Sequence, residues 1–135
     1  PCISARKSVF FGQWNLRSCL RQPKKELIVK QLLKHRIQLA ALSETAIYDS
    51  GISIIGEYTF LHSGAPSTSH TRSAHGVAIC LSKHANNAWK AAGSTWEAVN
   101  ERIITARLKC HPIQVTVVAV YAPINPQPSQ KVAAD

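Results

Sequence analysis

The sequence contains no methionine and only seven acidic residues, against 16 lysines and arginines in a chain of 135 residues. No apolar run approaches the ~18–20 residues that a membrane-spanning helix needs, so we expect no transmembrane segment and no membrane partner. The first residues lack the apolar stretch and small-residue cleavage site of a signal peptide. Because the chain begins at Pro1 without a methionine, we expect a fragment or a processed product.

Metal-type spacings of cysteine and histidine are also missing. The four cysteines show no Cys-x-x-Cys spacing, and the six histidines show no zinc-type pairing. We therefore expect reduced, buried cysteines, with neither a structural zinc nor a disulfide framework. Apolar residues at 45% and charged residues at 17% are typical of one folded domain, which we assign to residues 1–135.

Positive charge is concentrated near the start of the chain. Residues 1–36 contain nine of the 16 lysines and arginines but one acid, Glu26, so this block carries +8 of the net charge of +9. Such a block favours a polyanionic partner, because neutralising phosphates releases counterions. The alternative is a solvated basic helix face without a partner.

Strands are predicted where β-branched and aromatic residues cluster between turn signals, or where a short apolar run ends in a polar loop. The predicted strands are Val9–Trp14, Ile37–Leu42, Tyr58–Leu61, Gly76–Ser82, Arg102–Lys109 and Ile113–Tyr121. The last two are expected to form a hairpin through Cys110, His111 and Pro112.

The segment Pro23–Arg36 is predicted to be an amphipathic helix with a basic outer surface, since Pro23 suits the first helical position. The apolar stripe expected to face the core consists of Leu27, Ile28, Leu32 and Leu33. Strand, helix and strand in close succession predict parallel pairing with a right-handed crossover. Asn15 and Glu44 would then leave their strands at one carboxyl edge, where open α/β sheets usually bind ligands.

Polar residues at four strand ends could carry chemistry. They lie in Trp14-Asn15, Ser43-Glu44-Thr45, Glu101-Arg102 and the stretch Tyr121–Asn125. Taken singly, each has a structural explanation, such as turn capping, solvation or packing. Only the combination distinguishes them from ordinary turn residues.

In order and spacing, the segments that contain these residues resemble the amino-terminal half of the endonuclease/exonuclease/phosphatase superfamily. The resemblance is greatest to the apurinic-type endonuclease domains of non-LTR retrotransposons and to craniofacial development protein 2-like proteins. The segments are GQWNLRS at 12–18, LSET at 42–45, GEYTFLHSG at 56–64, HGVAI at 75–79, WEAVNERII at 96–104 and VYAPIN at 120–125.

The resemblance implies a DNase I-like fold, an α/β class in which two sheets form a sandwich with helices outside. Only part of it is expected here, since the family pattern stops after roughly its first half. The chain would then supply mainly one sheet and one or two helices. The strand Ile113–Tyr121 would be left with an apolar face or an unpaired edge, so we expect marginal stability or association with a partner.

The function implied by the resemblance is metal-dependent hydrolysis of phosphodiester bonds in DNA. Glu44 matches the metal-binding glutamate, and Asn15 matches an asparagine that orients Glu44 or binds the metal. Tyr121 matches a tyrosine that hydrogen-bonds the scissile phosphate, and Asn125 takes the polar position of the same motif. The implied cofactor is Mg²⁺ or Mn²⁺, weakly held because Glu44 is the one matched carboxylate.

Phosphate contacts to DNA are implied for Arg17, Arg102, Lys24 and Lys25, which would position the nucleic acid without reading its sequence. For Arg102, the alternative is a structural ion pair with Glu101. Because no signal peptide is visible, we expect an intracellular protein, and the nucleus is one candidate compartment.

Two elements of the family pattern do not occur in this sequence: the Asp-x-Asn segment and the closing Asp-His pair that supplies a general base. We therefore expect little or no nuclease activity from this chain alone. The missing half, or a reverse transcriptase domain, is an expected partner in the full-length protein. Two alternatives stay open: a non-catalytic nucleic-acid-binding relic, and a protein-interaction domain whose basic helix meets an acidic partner.

Overall fold

The structure, a computed structural model, describes residues 3–4, 10–16, 22–68, 76–111 and 113–122. Within them the elements are β1 (Ile3–Ser4), β2 (Phe10–Asn15), α1 (Gln22–Lys34), β3 (Ile37–Ser43), β4 (Ser50–Ile55), β5 (Tyr58–Ser63), β6 (Val77–Leu81), α2 (Lys83–Ala91), β7 (Trp96–Asn100), β8 (Ile103–Leu108), β9 (Cys110–His111) and β10 (Val115–Val120). Neither α1 nor α2 has the length and apolar character that crossing a bilayer would require.

The strands form three sheets. The larger two have five strands in the order β2-β3-β6-β5-β4 and three strands in the order β10-β8-β7, while β1 pairs with β9. β2 and β3 run parallel with α1 as the connection between them, which confirms the predicted pairing. β8 and β10 pair antiparallel as predicted, but Cys110 and His111, expected in the connecting turn, form β9 and pair with β1.

The central strands of the five-stranded sheet, β3, β6 and β5, are covered on both faces. Because successive side chains of a strand point to opposite faces, Leu39 and Leu61 point toward the three-stranded sheet, and Ala40 and Phe60 point toward α1. α2 adds Trp89 to the core between the two sheets. The described part of the chain is therefore a mixed α/β structure with two larger sheets and two helices, compatible with the predicted sandwich.

The expectation of mainly one sheet is wrong, because β7, β8 and β10 form a second sheet. Sequence patterning also does not predict β1, β4, α2, β7 or β9. α2 contains Asn86 and Asn87, which are weak helix formers. It is stabilised instead by its N-cap Ser82, whose hydroxyl accepts the Ala85 N–H at 3.1 Å, and by the burial of Trp89.

The buried stripe of α1 differs from the predicted one. Ile28, Val29 and Leu32 are buried, whereas Leu27 and Leu33 are 60% and 46% exposed. Positions 28, 29 and 32 lie on one narrow helix face, and that face is sufficient to cover the sheet. The outer surface of α1 is therefore less uniformly polar than the sequence suggests.

The second sheet ends in an exposed strand. Among the described residues β10 pairs only with β8, and its Val118 and Val120 are 54% and 57% exposed. The expected unpaired edge and apolar surface are thus both present in this part of the chain.

His62 on β5 is half-buried, and its ring Nδ1 has no hydrogen-bond partner within the described structure. Burial lowers the pKa of His62 below its usual 6.5, and the nearby positive charge of Lys25 lowers it further. A hydrogen bond to the Asp49 backbone and the negative charge of the Asp49 carboxylate both raise the pKa, but the net shift is downward. The folded protein therefore favours the neutral imidazole.

This preference predicts a loss of stability in mild acid. As the pH falls below 6.5, unfolded chains protonate His62 before the folded protein does. The free energy of unfolding is therefore higher above pH 6.5 and decreases below it. Because His62 is only half-buried, solvent screens its charge and the effect should be small. Urea unfolding at pH 7.5 and 5.5 measures it. His62→Gln should flatten the pH dependence, whereas the same change at the exposed His84 should not; equal slopes for all three proteins would contradict the assignment.

Candidate active site

The parallel pairing of β2 with β3 brings two predicted site residues into contact. Asn15 is the last residue of β2, and Glu44 follows β3 directly. The Asn15 side chain donates from Nδ2 to Oε2 of Glu44 at 2.8 Å. One edge of the sheet therefore carries an amide that orients a carboxylate, as their shared position at the strand ends predicts.

Tyr121 reaches the same carboxylate from the other sheet. It follows β10, and its backbone N–H donates to the Arg102 carbonyl at 2.8 Å. Its phenol hydroxyl hydrogen-bonds the Glu44 side chain. Tyr121 and Glu44 line a cleft of about 480 Å³ together with Gln13, Asn15, Ser43, Val120 and Ala122. The cleft thus lies between the ends of the two sheets.

The electrostatics of Tyr121 reflect this position. Burial raises the pKa of Tyr121 above its usual 10.0, and the hydrogen bond to Glu44 and the negative charge of Glu44 raise it further. The positive charge of Arg102 lowers it. Since the net direction is upward, the phenol is protonated at neutral pH and available as a hydrogen-bond donor.

Glu44 is presented by a constrained turn. Its φ is 54°, and that of Ala46 is 59°, so both occupy the left-handed region that costs an L-residue roughly 1–2 kcal/mol. Thr45 between them is fully buried. The Thr45 N–H donates to the Gly76 carbonyl at 3.3 Å, and its hydroxyl accepts the Ile47 N–H at 3.3 Å. The surroundings of Thr45 therefore hold the Glu44 backbone in place.

Gly76 makes the Thr45 contact possible. Its φ is 95°, and a Cβ at this position would collide with the Thr45 hydroxyl. The Gly76 N–H in turn donates to the Glu101 carbonyl at 3.2 Å, next to Arg102. A backbone chain therefore connects the Glu44 turn to the start of β8 in the second sheet.

The predicted phosphate-binding cations occupy different places. The Lys24 ammonium donates to the Leu16 carbonyl at 2.9 Å, and the Leu16 N–H donates to the Ser43 carbonyl at 2.9 Å, so Lys24 anchors the residue after Asn15. Lys25 is half-buried in the first turns of α1, near His62. Arg102 is exposed beside Tyr121.

Two predicted site residues, Arg17 and Asn125, lie outside the described residues. Two others were missed: Gln13 lines the cleft, and Gly76 holds its turn. The alternation of a strand could have indicated Gln13, because it lies two residues before Asn15 and on the same face. No local pattern in the sequence indicates the contact between Gly76 and Thr45.

The donor set fits a weakly held divalent cation. Within the described ranges, no three His, Cys, Asp or Glu side chains gather into one metal-binding group. The residues able to hold a cation are thus the Glu44 carboxylate and the Asn15 amide oxygen. Mg²⁺ accepts hard oxygen ligands and often takes one or two carboxylates, with waters and substrate phosphate completing its shell.

In comparisons with known proteins, the chain matches neither a protein-family model nor a curated sequence.

Removing the Glu44 charge should change the titration of Tyr121. Glu44→Gln is expected to lower the pKa of the Tyr121 phenol, because a neutral amide no longer repels the phenolate. Arg102→Gln is expected to raise it, because a stabilising cation is lost. Ultraviolet titration measures both shifts, with Tyr121→Phe identifying the signal of this residue. Unchanged titration in both variants would show that the three side chains do not interact.

A side chain at Gly76 should disrupt the Glu44 turn. Gly93 is a matched control, because its φ of 87° is similar but a Cβ there meets only the Thr95 hydroxyl at an ordinary 3.6 Å. Gly93→Ala should cost about 1 kcal/mol from backbone strain alone, and Gly76→Ala about 2–3 kcal/mol from strain plus collision. Urea unfolding gives both values. Equal losses would contradict the proposed contact between Gly76 and Thr45.

Proposed function

We propose that this chain forms the metal- and phosphate-binding part of a DNase I-like endonuclease domain of the endonuclease/exonuclease/phosphatase superfamily, which hydrolyses phosphodiester bonds in DNA. The observation that carries the proposal is the meeting of Asn15, Glu44 and Tyr121 in one cleft. An amide, a carboxylate and a protonated phenol are the groups needed to hold a cation and a phosphate side by side.

Each residue has a definite part in this proposal. Glu44 holds the cation, which when bound would polarise the phosphoryl oxygen and stabilise charge on the leaving oxygen. Asn15 fixes the orientation of the Glu44 carboxylate through its 2.8 Å hydrogen bond. Tyr121 donates a hydrogen bond from its phenol hydroxyl to a phosphate oxygen. The constrained turn around Thr45 limits the movement of Glu44, and such preorganisation favours catalysis.

The position of the cations supports a polymeric phosphate substrate. Because α1 connects two parallel strands, its first turn lies at the edge that carries Asn15 and Glu44, and its last turn lies at the opposite edge. Lys24 and Lys25 are therefore close to the cleft on one side, and Arg102 flanks Tyr121 on the other. Cations on both sides of a cleft can contact phosphates that flank the one being cut.

Turnover requires a further group. Hydrolysis needs a base that activates water, and Glu44 is the single acid among the described residues that line the cleft, where there is no histidine. We infer that the base comes from another part of the protein or from a partner, and that this chain alone turns over slowly. The same observation favours a second candidate function, a nucleic-acid-binding relic without catalysis.

The proposal predicts metal-assisted DNA binding that depends on Glu44. Fluorescence anisotropy with labelled duplex DNA containing an abasic site should show affinity rising about tenfold on addition of Mg²⁺. Glu44→Gln should abolish this rise. Glu57→Gln removes the same charge at the other end of the strands, away from the cleft, and should leave the rise in affinity intact. Affinity should also fall with salt with a log–log slope of about −2.7, as expected for three phosphate contacts.

The alternatives give different results. DNA binding that does not depend on Mg²⁺ and is unchanged in Glu44→Gln would favour the nucleic-acid-binding relic. No DNA binding at low salt would overturn both DNA-directed functions. A plasmid-nicking assay with Mg²⁺ tests turnover. Robust nicking that is lost on Glu44→Ala would support the nuclease assignment but show that the chain already contains its base.

A further inference from the structure

The five-stranded sheet has β2, the strand of Asn15, at one side of its strand order. The edge strand at the other side is exposed and uncharged. β4 is the terminal strand there, and among the described residues it pairs only with β5. We propose that β4 binds an extended partner peptide that adds a strand to the sheet and carries aliphatic residues flanked by Lys or Arg. This proposal is independent of the nuclease assignment.

β4 lacks the features that usually block edge pairing. Natural edges are protected by charges, prolines, bulges or short length. β2 shows a register shift between Phe10 and Phe11, and β7 shows one between Ala98 and Asn100. β4 pairs with β5 over six consecutive residues without a shift, and its sequence SGISII has neither charge nor proline. Its free edge is therefore regular enough to accept another strand.

β4 also offers apolar side chains to an added strand. Ile52 and Ile54 are 49% and 77% exposed. Their cross-strand partners are Leu61 and Thr59, so both isoleucines lie on the face that β5 turns toward the three-stranded sheet. Their exposure shows that the described part of that sheet does not cover them. Aliphatic residues of an added strand would pack directly beside them.

The charges at the ends of β4 identify the kind of partner. In a chain of net charge +9, this edge is flanked by two exposed acids, Asp49 before the strand and Glu57 in the turn after it. Asp49 is held in place, since its Oδ1 accepts the Ser67 N–H at 3.1 Å. A Lys or Arg at each end of a bound segment would meet an acid, which favours the correct register.

A second copy of the chain fits this edge poorly. In antiparallel pairing of two β4 strands, Asp49 of each copy would approach the turn that carries Glu57 of the other. In parallel pairing, Asp49 would lie beside Asp49. Like charges meet in both directions, and such contacts oppose association. β10 is also an uncharged edge, but its terminal neighbours Gln114 and Tyr121 are not acidic, so it supplies a control for charge.

The probe is a short fluorescent peptide of alternating valine and threonine, with lysine at one end and arginine at the other. Fluorescence anisotropy measures its affinity, and amide chemical shifts show where it binds. Ile54→Lys should weaken binding at least about tenfold, since it places a charge in the apolar contact. Val118→Lys also replaces an exposed aliphatic residue by lysine, on β10, and should have little effect. Melting curves confirm that both variants are folded.

Charge specificity provides the second arm of the test. A peptide with glutamates in place of its basic ends should bind about tenfold more weakly, and the difference should shrink at high salt. Equal weakening by Val118→Lys and Ile54→Lys, or equal affinity for both peptides, would overturn the proposal. So would sedimentation showing a dimer that Ile54→Lys dissociates, because the edge would then be occupied by a second copy.

Discussion

The parallel pairing of β2 with β3 is the constraint on which the site depends. Two parallel neighbours need a crossover, and α1 supplies it, so both strands end at one edge. At that edge the Leu16 N–H continues the pairing to the Ser43 carbonyl, and Lys24 from α1 holds the Leu16 carbonyl. The distance between the Asn15 amide and the Glu44 carboxylate is therefore set by the sheet. A change of one residue in register would turn one of them to the opposite face.

The second sheet completes the site through backbone contacts. Thr45, Gly76 and Glu101 form a chain of main-chain hydrogen bonds from the Glu44 turn to the start of β8, and the Tyr121 N–H bonds to the carbonyl of the next residue, Arg102. The strained φ of Glu44 is maintained because these groups are fixed by two sheets at once. A turn held in this way presents its carboxylate with little freedom, which suits binding of a small cation.

Local patterns in the sequence predicted the parts of the structure that depend on local physics. A short apolar run located β3, and runs rich in β-branched residues located β6, β8 and β10. The strand–helix–strand order predicted that Asn15 and Glu44 would lie at the same edge. α2 was not predicted because its two asparagines disfavour a helix, and its stability comes from the Ser82 cap and a buried tryptophan. The buried stripe of α1 also depends on tertiary packing. The collision that requires glycine at position 76 involves Thr45, and sequence spacing cannot show it.

The hydrogen bond between Tyr121 and Glu44 has a consequence for the proposed function. A phenol has one proton, so Tyr121 cannot donate to Glu44 and to a phosphate at the same time. Phosphate binding at Tyr121 therefore requires Glu44 to give up this hydrogen bond. The Glu44 carboxylate then needs another group, one with positive charge, in its place. A cation on Glu44 would supply that charge, and it would also favour a phosphate beside it. Metal binding and phosphate binding should consequently reinforce each other in this cleft. The cation replaces Tyr121 as the partner of Glu44, and the phosphate replaces Glu44 as the partner of Tyr121.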